Sequence, residues 1–357
     1  MSFILVLKAY FLRKITRKKI INFDIKNARN VLFLRYDRIG DMVISTPVFR
    51  ELKRQNPQIK ISVLASKINQ NVLQKNPYIN EIFVNSKNNL FKDFIVLVKL
   101  RKRQYDVCVE FDHSVVPHAI LRLKIINPKK IISVFKEGRY GVKGLDLELY
   151  DYYTEKFQNA HIRDIWLNTL SPFGVLPKSR KYDLFCNDSQ LKKANSFISN
   201  LQKKLLIGIN LEGAVPGKII TPENIEKICK KIYKVNDQVH FILISSPKKY
   251  TKIINLSKKM SLSYLTPSYK TEEVLDVAAL IQKCNLIITP DTSIVHIASA
   301  FNIPVISIHE NNKESYRLFK PISHQSKTVF SEFSDKLEGY NVDKICKYAI
   351  NMIKNES

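Results

Sequence analysis

At 357 residues the chain exceeds what one hydrophobic core usually organises, so two domains of roughly 150–190 residues are expected. Apolar residues at 45%, with only 9 Gly and 14 Pro, exclude a disordered or linker-rich chain. Lys+Arg 58 against Asp+Glu 32 leave a formal charge of +26, which requires something anionic as a partner: nucleic acid, phospholipid headgroups or phosphorylated small molecules.

Residues 1–30 differ from everything after them. Phe3, Ile4, Leu7, Phe11 and Ile15 fall at helical spacing, and Arg13, Lys14, Arg17, Lys18 and Lys19 follow as a basic cluster. A secretory signal would place its charges first, and a spanning helix needs about 20 uninterrupted apolar residues, which Lys8 and the cluster prevent. Two readings remain: an amphipathic helix lying in an anionic membrane surface, or a terminal helix packed on its own protein.

Short β-branched runs then alternate with helical stretches, the pattern of α/β proteins with parallel sheets. Residues 31–35, 59–65, 81–84, 105–111 and 130–134 read as strands, with helices over 42–55, 90–103 and 114–125. Residues 137–153 form a polar interruption, 161–170 look helical, and Ser171-Pro172-Phe173-Gly174 breaks the pattern. The domain boundary is expected between about 172 and 202, which gives domains of 31–185 and 186–357. In the second, 205–210, 239–245, 286–289 and 305–308 read as strands. Helices are expected over 222–235, 271–283, 292–301 and 342–354, the first capped by Thr221 with Pro222 in its first turn. The five cysteines are scattered without a CxxC pair and read as buried thiols in a reducing compartment. The seven histidines form no metal-ligand motif, so no metal and no cofactor are expected.

Ligands of open α/β sheets bind at the carboxyl ends of strands, and three strand ends here carry unusual residues. The first is Arg35-Tyr36-Asp37-Arg38-Ile39-Gly40-Asp41, where Gly40 would permit a turn. Asp41 would then cap the helix or act as a general base, with Asp37 a weaker candidate. The second runs from Asn210 to Lys218 with Gly213 and Gly217; its GxxxGK spacing followed by Ile219 is not a P-loop, and Lys218 is either a phosphate partner or a surface lysine. The third is Thr289-Pro290-Asp291-Thr292-Ser293-Ile294-Val295-His296. Asp291 is the expected cap there, with the amides of Thr292 and Ser293 free for a diphosphate and His296 one turn on, a packed residue or a ligand.

Residues 35–47 (RYDRIGDMVISTP) resemble the opening motif of glycosyltransferase family 9, the ADP-heptose:lipopolysaccharide heptosyltransferases. The stretch AALIQKCNLIITPDTSIVHIASAFNIP, ending at Pro304, resembles that family's donor-site signature. Asp112-His113-Ser114 and Asn159-Ala160-His161 sit where the family has similar short patterns. The likeness runs in order from about residue 31 to 354 and implies a GT-B architecture: α/β, two facing Rossmann-like domains with parallel sheets, the acceptor on the first and the nucleotide sugar on the second. It implies Asp41 as general base, Lys218, Asp291, Thr292, Ser293 and His296 as donor contacts, and Arg35, Arg38, Asp112 and His113 as acceptor contacts. The chain departs from the family pattern by carrying Ser293 and His309-Glu310 where the family usually has glycine.

What the resemblance implies is an inverting, metal-independent transferase, moving a heptose or related sugar from a nucleotide-sugar donor, ADP-heptose first, to a lipopolysaccharide or other surface-glycan acceptor. It would work in the cytoplasm, peripherally on the inner face of the membrane. Another nucleotide sugar, or a non-catalytic nucleic-acid-binding role suggested by the charge, are the alternatives. No nucleic-acid module is visible and the 16 Tyr form no stacking array, so a nucleic-acid partner is not expected.

Overall fold

The computed structural model describes residues 3–86, 89–201, 205–211, 213 and 217–354. They divide into two compact units, Met1–Lys181 and Tyr182–Ser357.

The first unit runs α1 (Phe3–Thr16), β1 (Asn30–Arg35), α2 (Ile39–Gln55), β2 (Lys60–Ser66), β3 (Glu81–Asn85), α3 (Leu90–Lys102), β4 (Val107–Glu110), α4 (Pro117–Ile126), β5 (Lys130–Ser133), β6 (Tyr152–Tyr153) and α5 (Ile162–Asn168). Its sheet is parallel, in the order β3-β2-β1-β4-β5-β6. Strand β1 lies at the centre, Leu32 opposite both Ser62 and Cys108. Its apolar residues are buried on both faces, as the continuous run Val31 to Leu34 requires. On one face Leu32 and Leu34 share a core with Leu97 and Leu100 of α3 and Ile120 and Leu123 of α4. On the other, the Phe33 ring meets Phe49 of α2 at 5.0 Å and Phe111 at 6.0 Å. Arg50 of α2 donates to the carbonyls of Ser179 and Lys181, which ties the end of this unit back to its own helix layer.

Helix α1 packs on this unit: Ala9 and Leu12 enter the same core, and Arg13 pairs with Asp146 at 3.0 Å. It does so through one narrow stripe, leaving Ile4, Leu7 and Phe11 exposed. No described helix is long and apolar enough to cross a membrane.

The second unit runs α6 (Asp188–Ser199), β7 (Leu205–Asn210), α7 (Pro222–Val235), β8 (Val239–Ile244), α8 (Tyr250–Met260), β9 (Leu265–Pro267), α9 (Val274–Ile281), β10 (Leu286–Pro290), α10 (Ser293–Ala300), β11 (Val305–His309), α11 (Lys313–Phe319), β12 (Ser326–Phe330) and α12 (Val342–Lys354). Its parallel sheet has the order β12-β11-β10-β7-β8-β9. Both sheets are therefore doubly wound, and the strand order reverses between β1 and β4 in one and between β7 and β10 in the other. Thr221 accepts from the Asn224 amide and caps α7, whose buried residues Ile225, Ile228, Cys229 and Ile232 form one apolar stripe. That stripe shares a core with Ile345, Cys346 and Ala349 of α12.

Close packing leaves no room at Gly208 in β7, where a Cβ would stand 2.6 Å from Ile287 Cδ1 and 3.0 Å from Ile244 Cδ1. Gly208→Val should cost about 1–3 kcal/mol of stability, read as a lowered midpoint in urea. An unchanged midpoint would show that these isoleucines repack freely.

Candidate active site

The residues singled out by sequence collect at the two reversal points, where parallel doubly wound sheets hold ligands. In the first unit, Arg35 ends β1 with 3% of its surface exposed. Its guanidinium stacks on the Trp166 ring at 4.0 Å and lies near Phe111 at 5.4 Å. It pairs with Asp37 at 2.9 Å and with Asp41 at 3.4 Å. Two carboxylates and two aromatic rings thus surround Arg35, one of the expected acceptor contacts. Arg38 is exposed.

Helix α2 begins at Ile39, so Gly40 is already helical and the turn is made by the residues before it, not by Gly40 as expected. The Asp41 carboxylate reaches back to the Arg38 amide at 3.4 Å. Both cap-like and ionic contacts thus hold it in the first turn, its side chain one-fifth exposed. Pro47 inside α2 cannot donate to Val43, and the Thr46 hydroxyl takes that carbonyl at 2.7 Å. Ser45 does the same for the Asp41 carbonyl at 2.7 Å.

Strand β4 ends beside this group with a buried network that sequence reasoning missed. Glu110 accepts from Lys136 at 2.5 Å, from the Ser133 hydroxyl at 2.9 Å and from the Asp112 amide at 3.0 Å. Lys136 also donates to the Asp112 carbonyl at 2.6 Å. The signal was available: Glu110 and Lys136 are charges at the ends of otherwise apolar runs. Burial, reinforced by Glu110, raises the Asp112 carboxyl to about 7. Burial, with Lys136 and Arg35 adding to it, lowers His113 to about 4, and Trp166 donates to its Nε2 at 3.4 Å. His161 is buried as the cap of α5, its Nδ1 accepting from the Arg163 amide at 3.0 Å.

In the second unit, Asn210 at the end of β7 donates to the hydroxyls of Thr289 at 3.0 Å and Thr292 at 3.1 Å, joining β7 to β10 across the reversal. Gly213 donates to the Lys218 carbonyl at 2.7 Å, and a Cβ on it would stand 3.1 Å from Lys218 Cβ and 3.2 Å from Thr292 Cγ2. This close approach sets Lys218 against β10. Glu212 and residues 214–216 of the expected phosphate-binding turn lie outside the described residues.

Lys218 Nζ bridges Asp291 at 2.8 Å and Glu310 at 3.2 Å. The cap of α10 is Thr292, which accepts from the Ile294 amide, not Asp291 as expected. A short hydroxyl on the residue adjoining the helix closes that bond, which leaves the Asp291 carboxylate for Lys218. Ser293 is the first residue of α10. His296 is buried, its ring edge-on to Tyr182 at 6.2 Å. Burial opposes the charged form of Asp291, but His309, Lys218 and His296 outweigh it and hold the carboxyl below its usual range. Burial pushes His309 down to about 4, so at pH 7 the lasting positive partner is Lys218. Burial likewise works against the Lys218 cation, and Asp291 and Glu310 more than restore it.

Asp112 and His113 have opposite linkage. Between about pH 4 and 6.5 the folded chain keeps a proton on Asp112 that the unfolded chain has lost, so stability falls as pH rises. Over the same interval the unfolded chain holds a proton that folded His113 lacks, so that contribution rises. Asp112→Asn removes the first and leaves the second. Its stability relative to the wild type should grow from pH 4 to 7 and level off above, measured by urea unfolding across pH; a pH-independent difference would contradict the assignment.

The model of glycosyltransferase family 9 (heptosyltransferase) matches residues 96–348. The lipopolysaccharide core heptosyltransferase OpsX of Haemophilus influenzae is 26% identical over 285 residues, covering 79% of this chain and 79% of that protein. The crystal structure of a glycosyl transferase family 9 protein from Veillonella parvula matches with a TM-score of 0.76 at 17% identity, covering 94% of this chain and 100% of that one. The ADP-heptose lps heptosyltransferase II of E. coli matches with a TM-score of 0.71 at 16% identity, over 92% and 100%. Two parallel six-stranded sheets with their helices give this chain the GT-B fold of such heptosyltransferase structures. With the family model spanning most of its length, the chain is a glycosyltransferase and belongs to glycosyltransferase family 9.

Proposed function

We propose that the enzyme transfers a heptose, or a closely related sugar, from ADP-heptose to a lipopolysaccharide core or other surface-glycan acceptor, with inversion at the anomeric carbon. The observation that carries this reading is Lys218, held between Asp291 and Glu310 beside the start of α10. A lysine and the free amides of a helix start are what a leaving nucleoside diphosphate needs. In the reaction the acceptor hydroxyl oxygen bonds to the anomeric carbon as the bond from that carbon to the diphosphate oxygen breaks. The hydroxyl proton passes to Asp41, and the electron pair leaves on the diphosphate, where Lys218 meets it. Thr292 and Ser293 are the proposed donor contacts; Arg38, Asp112 and His113 are the proposed acceptor contacts. Arg35 acts through Asp41, and His296 acts through Asp291. Because Lys218 and the first turn of α10 supply the positive charge, no divalent ion is required.

The exposed apolar side of α1 and its basic cluster support work at an anionic membrane surface, on the inner face of the cytoplasmic membrane. A phosphorylated, acidic acceptor fits the charge of +26.

Asp41→Asn keeps its size and its bond to the Arg38 amide, so folding and binding of both substrates should persist while turnover falls by roughly 10²-fold or more. Near-normal turnover in this variant together with loss in Asp37→Asn would move the base to Asp37. Activity should survive excess EDTA, and ADP should compete with the donor better than UDP; stronger competition by UDP would replace ADP-heptose with a uridine-linked sugar.

A further inference from the structure

Helix α3 inverts the usual surface pattern. Its residues Asp93, Leu97 and Leu100 face inward, and Asp93 is buried in an ion pair with Arg122 at 2.9 Å. Outward, where polar residues are the rule, Leu90 is 84%, Phe91 75% and Phe94 53% exposed. These positions form the outer side of the first two helical turns. Single exposed apolar residues need no explanation, but a cluster containing two phenylalanines on one turn does.

The cluster has neighbours of its own kind. Helices α1, α3 and α4 cover the same face of the first sheet, since Ala9 and Leu12, Leu97 and Leu100, and Ile120 and Leu123 enter one core. Outside that core α4 exposes Leu121 at 56%, and α1 exposes Ile4 at 62% and Phe11 at 50%. The charged side chains that α1 and α3 expose are basic: Lys92, Lys99, Arg101 and Lys102 on α3, and Lys14 on α1 beside Arg13, which is paired with Asp146. The single acid of α3 is Asp93, already neutralised by Arg122, and α1 contains none.

We infer that the Leu90, Phe91 and Phe94 turn of α3 is a second membrane-inserting element, which enters the same anionic leaflet as α1. The inference rests on the reading of α1 as a membrane-surface helix and extends it to a part of the fold formed after β3. Apolar side chains inserted a few ångströms below the headgroups, with cations above them among lipid phosphates, satisfy both the exposed rings and the unbalanced charge. A second copy of this chain would set like charges against like. Two elements on one face also fix the orientation of the first unit on the bilayer, which one terminal helix would leave free to rotate.

The test uses the full-length protein and vesicles of phosphatidylethanolamine with phosphatidylglycerol, with phosphatidylcholine vesicles as the uncharged control. Phe91→Ser with Phe94→Ser should lower the vesicle partition coefficient about tenfold or more, equivalent to about 1.4 kcal/mol. Activity on a soluble acceptor and the urea midpoint should stay unchanged, because neither ring is buried. In Phe91→Trp, emission should shift to the blue and be quenched by brominated acyl chains, against the constant signal of buried Trp166. Undiminished vesicle binding by the serine variant, with loss in Ile4→Ser/Phe11→Ser, would overturn the α3 assignment and leave α1 standing. No binding by the wild type would overturn both. Loss of self-association in the α3 variant with vesicle binding intact would assign the turn to a second copy and overturn the proposal.

Discussion

An ionised side chain at the carboxyl end of a buried parallel strand has little water to solvate it, so it must be neutralised by groups the fold puts beside it. This constraint organises both units. Arg35 at the end of β1 is 3% exposed, and Asp37 and Asp41 neutralise it. Glu110 at the end of β4 is neutralised by Lys136 and satisfied by Ser133 and the Asp112 amide. In the second unit Asp291 beyond β10 and Glu310 beyond β11 share Lys218. Each charge is held in place by its partner, and that fixed geometry is what electrostatic catalysis uses.

The two arrangements differ in what they leave available. Around Arg35 the cation is enclosed by rings and carboxylates, while Asp41 keeps one-fifth of its side chain exposed. The negative group is the accessible one. Around Asp291 the cation is shared by two carboxylates, and the proposed role of Lys218 is that a more strongly charged diphosphate competes with them for it. On the proposed reading the first unit supplies the base and the second the cation, the pair that transfer of a glycosyl group to a hydroxyl demands.

Much of this was legible in the sequence because parallel strands buried on both faces read as continuous apolar runs, and their ends are marked where polar residues begin. Asp41, Lys218 and Asp291 stand out for that reason. Two edge strands were not legible: β6 has two residues, and β9 has three, ending at Pro267, so neither offers a periodicity to detect. Helix α6 lay in the segment expected to join the domains, although Asn187 and Gln190 form a capping box that announces it. At α10 the sequence pointed to Asp291 as the cap, and Thr292 takes that place amid tertiary contacts, since Asn210 and Lys218 arrive from 70 or more residues away. Arg35 was visible as a charge but not as a buried one, because Trp166 and Phe111 reach it from other elements. For His296 the sequence left a packed residue and a ligand both open, because its burial and its ring contact with Tyr182 come from the tertiary fold.

On the proposed reading, Asp291 and Glu310 hold Lys218 charged and in position until a diphosphate replaces part of that pairing. Calorimetric titration of ADP into Glu310→Gln tests it directly. The substitution removes a negative charge 3.2 Å from the Lys218 ammonium while Asp291 still anchors it at 2.8 Å. ADP should then bind several-fold more tightly than to the wild type, with the gain shrinking as salt is added. Weaker binding, or binding unchanged at low salt, would contradict the account and make Glu310 part of the donor site itself.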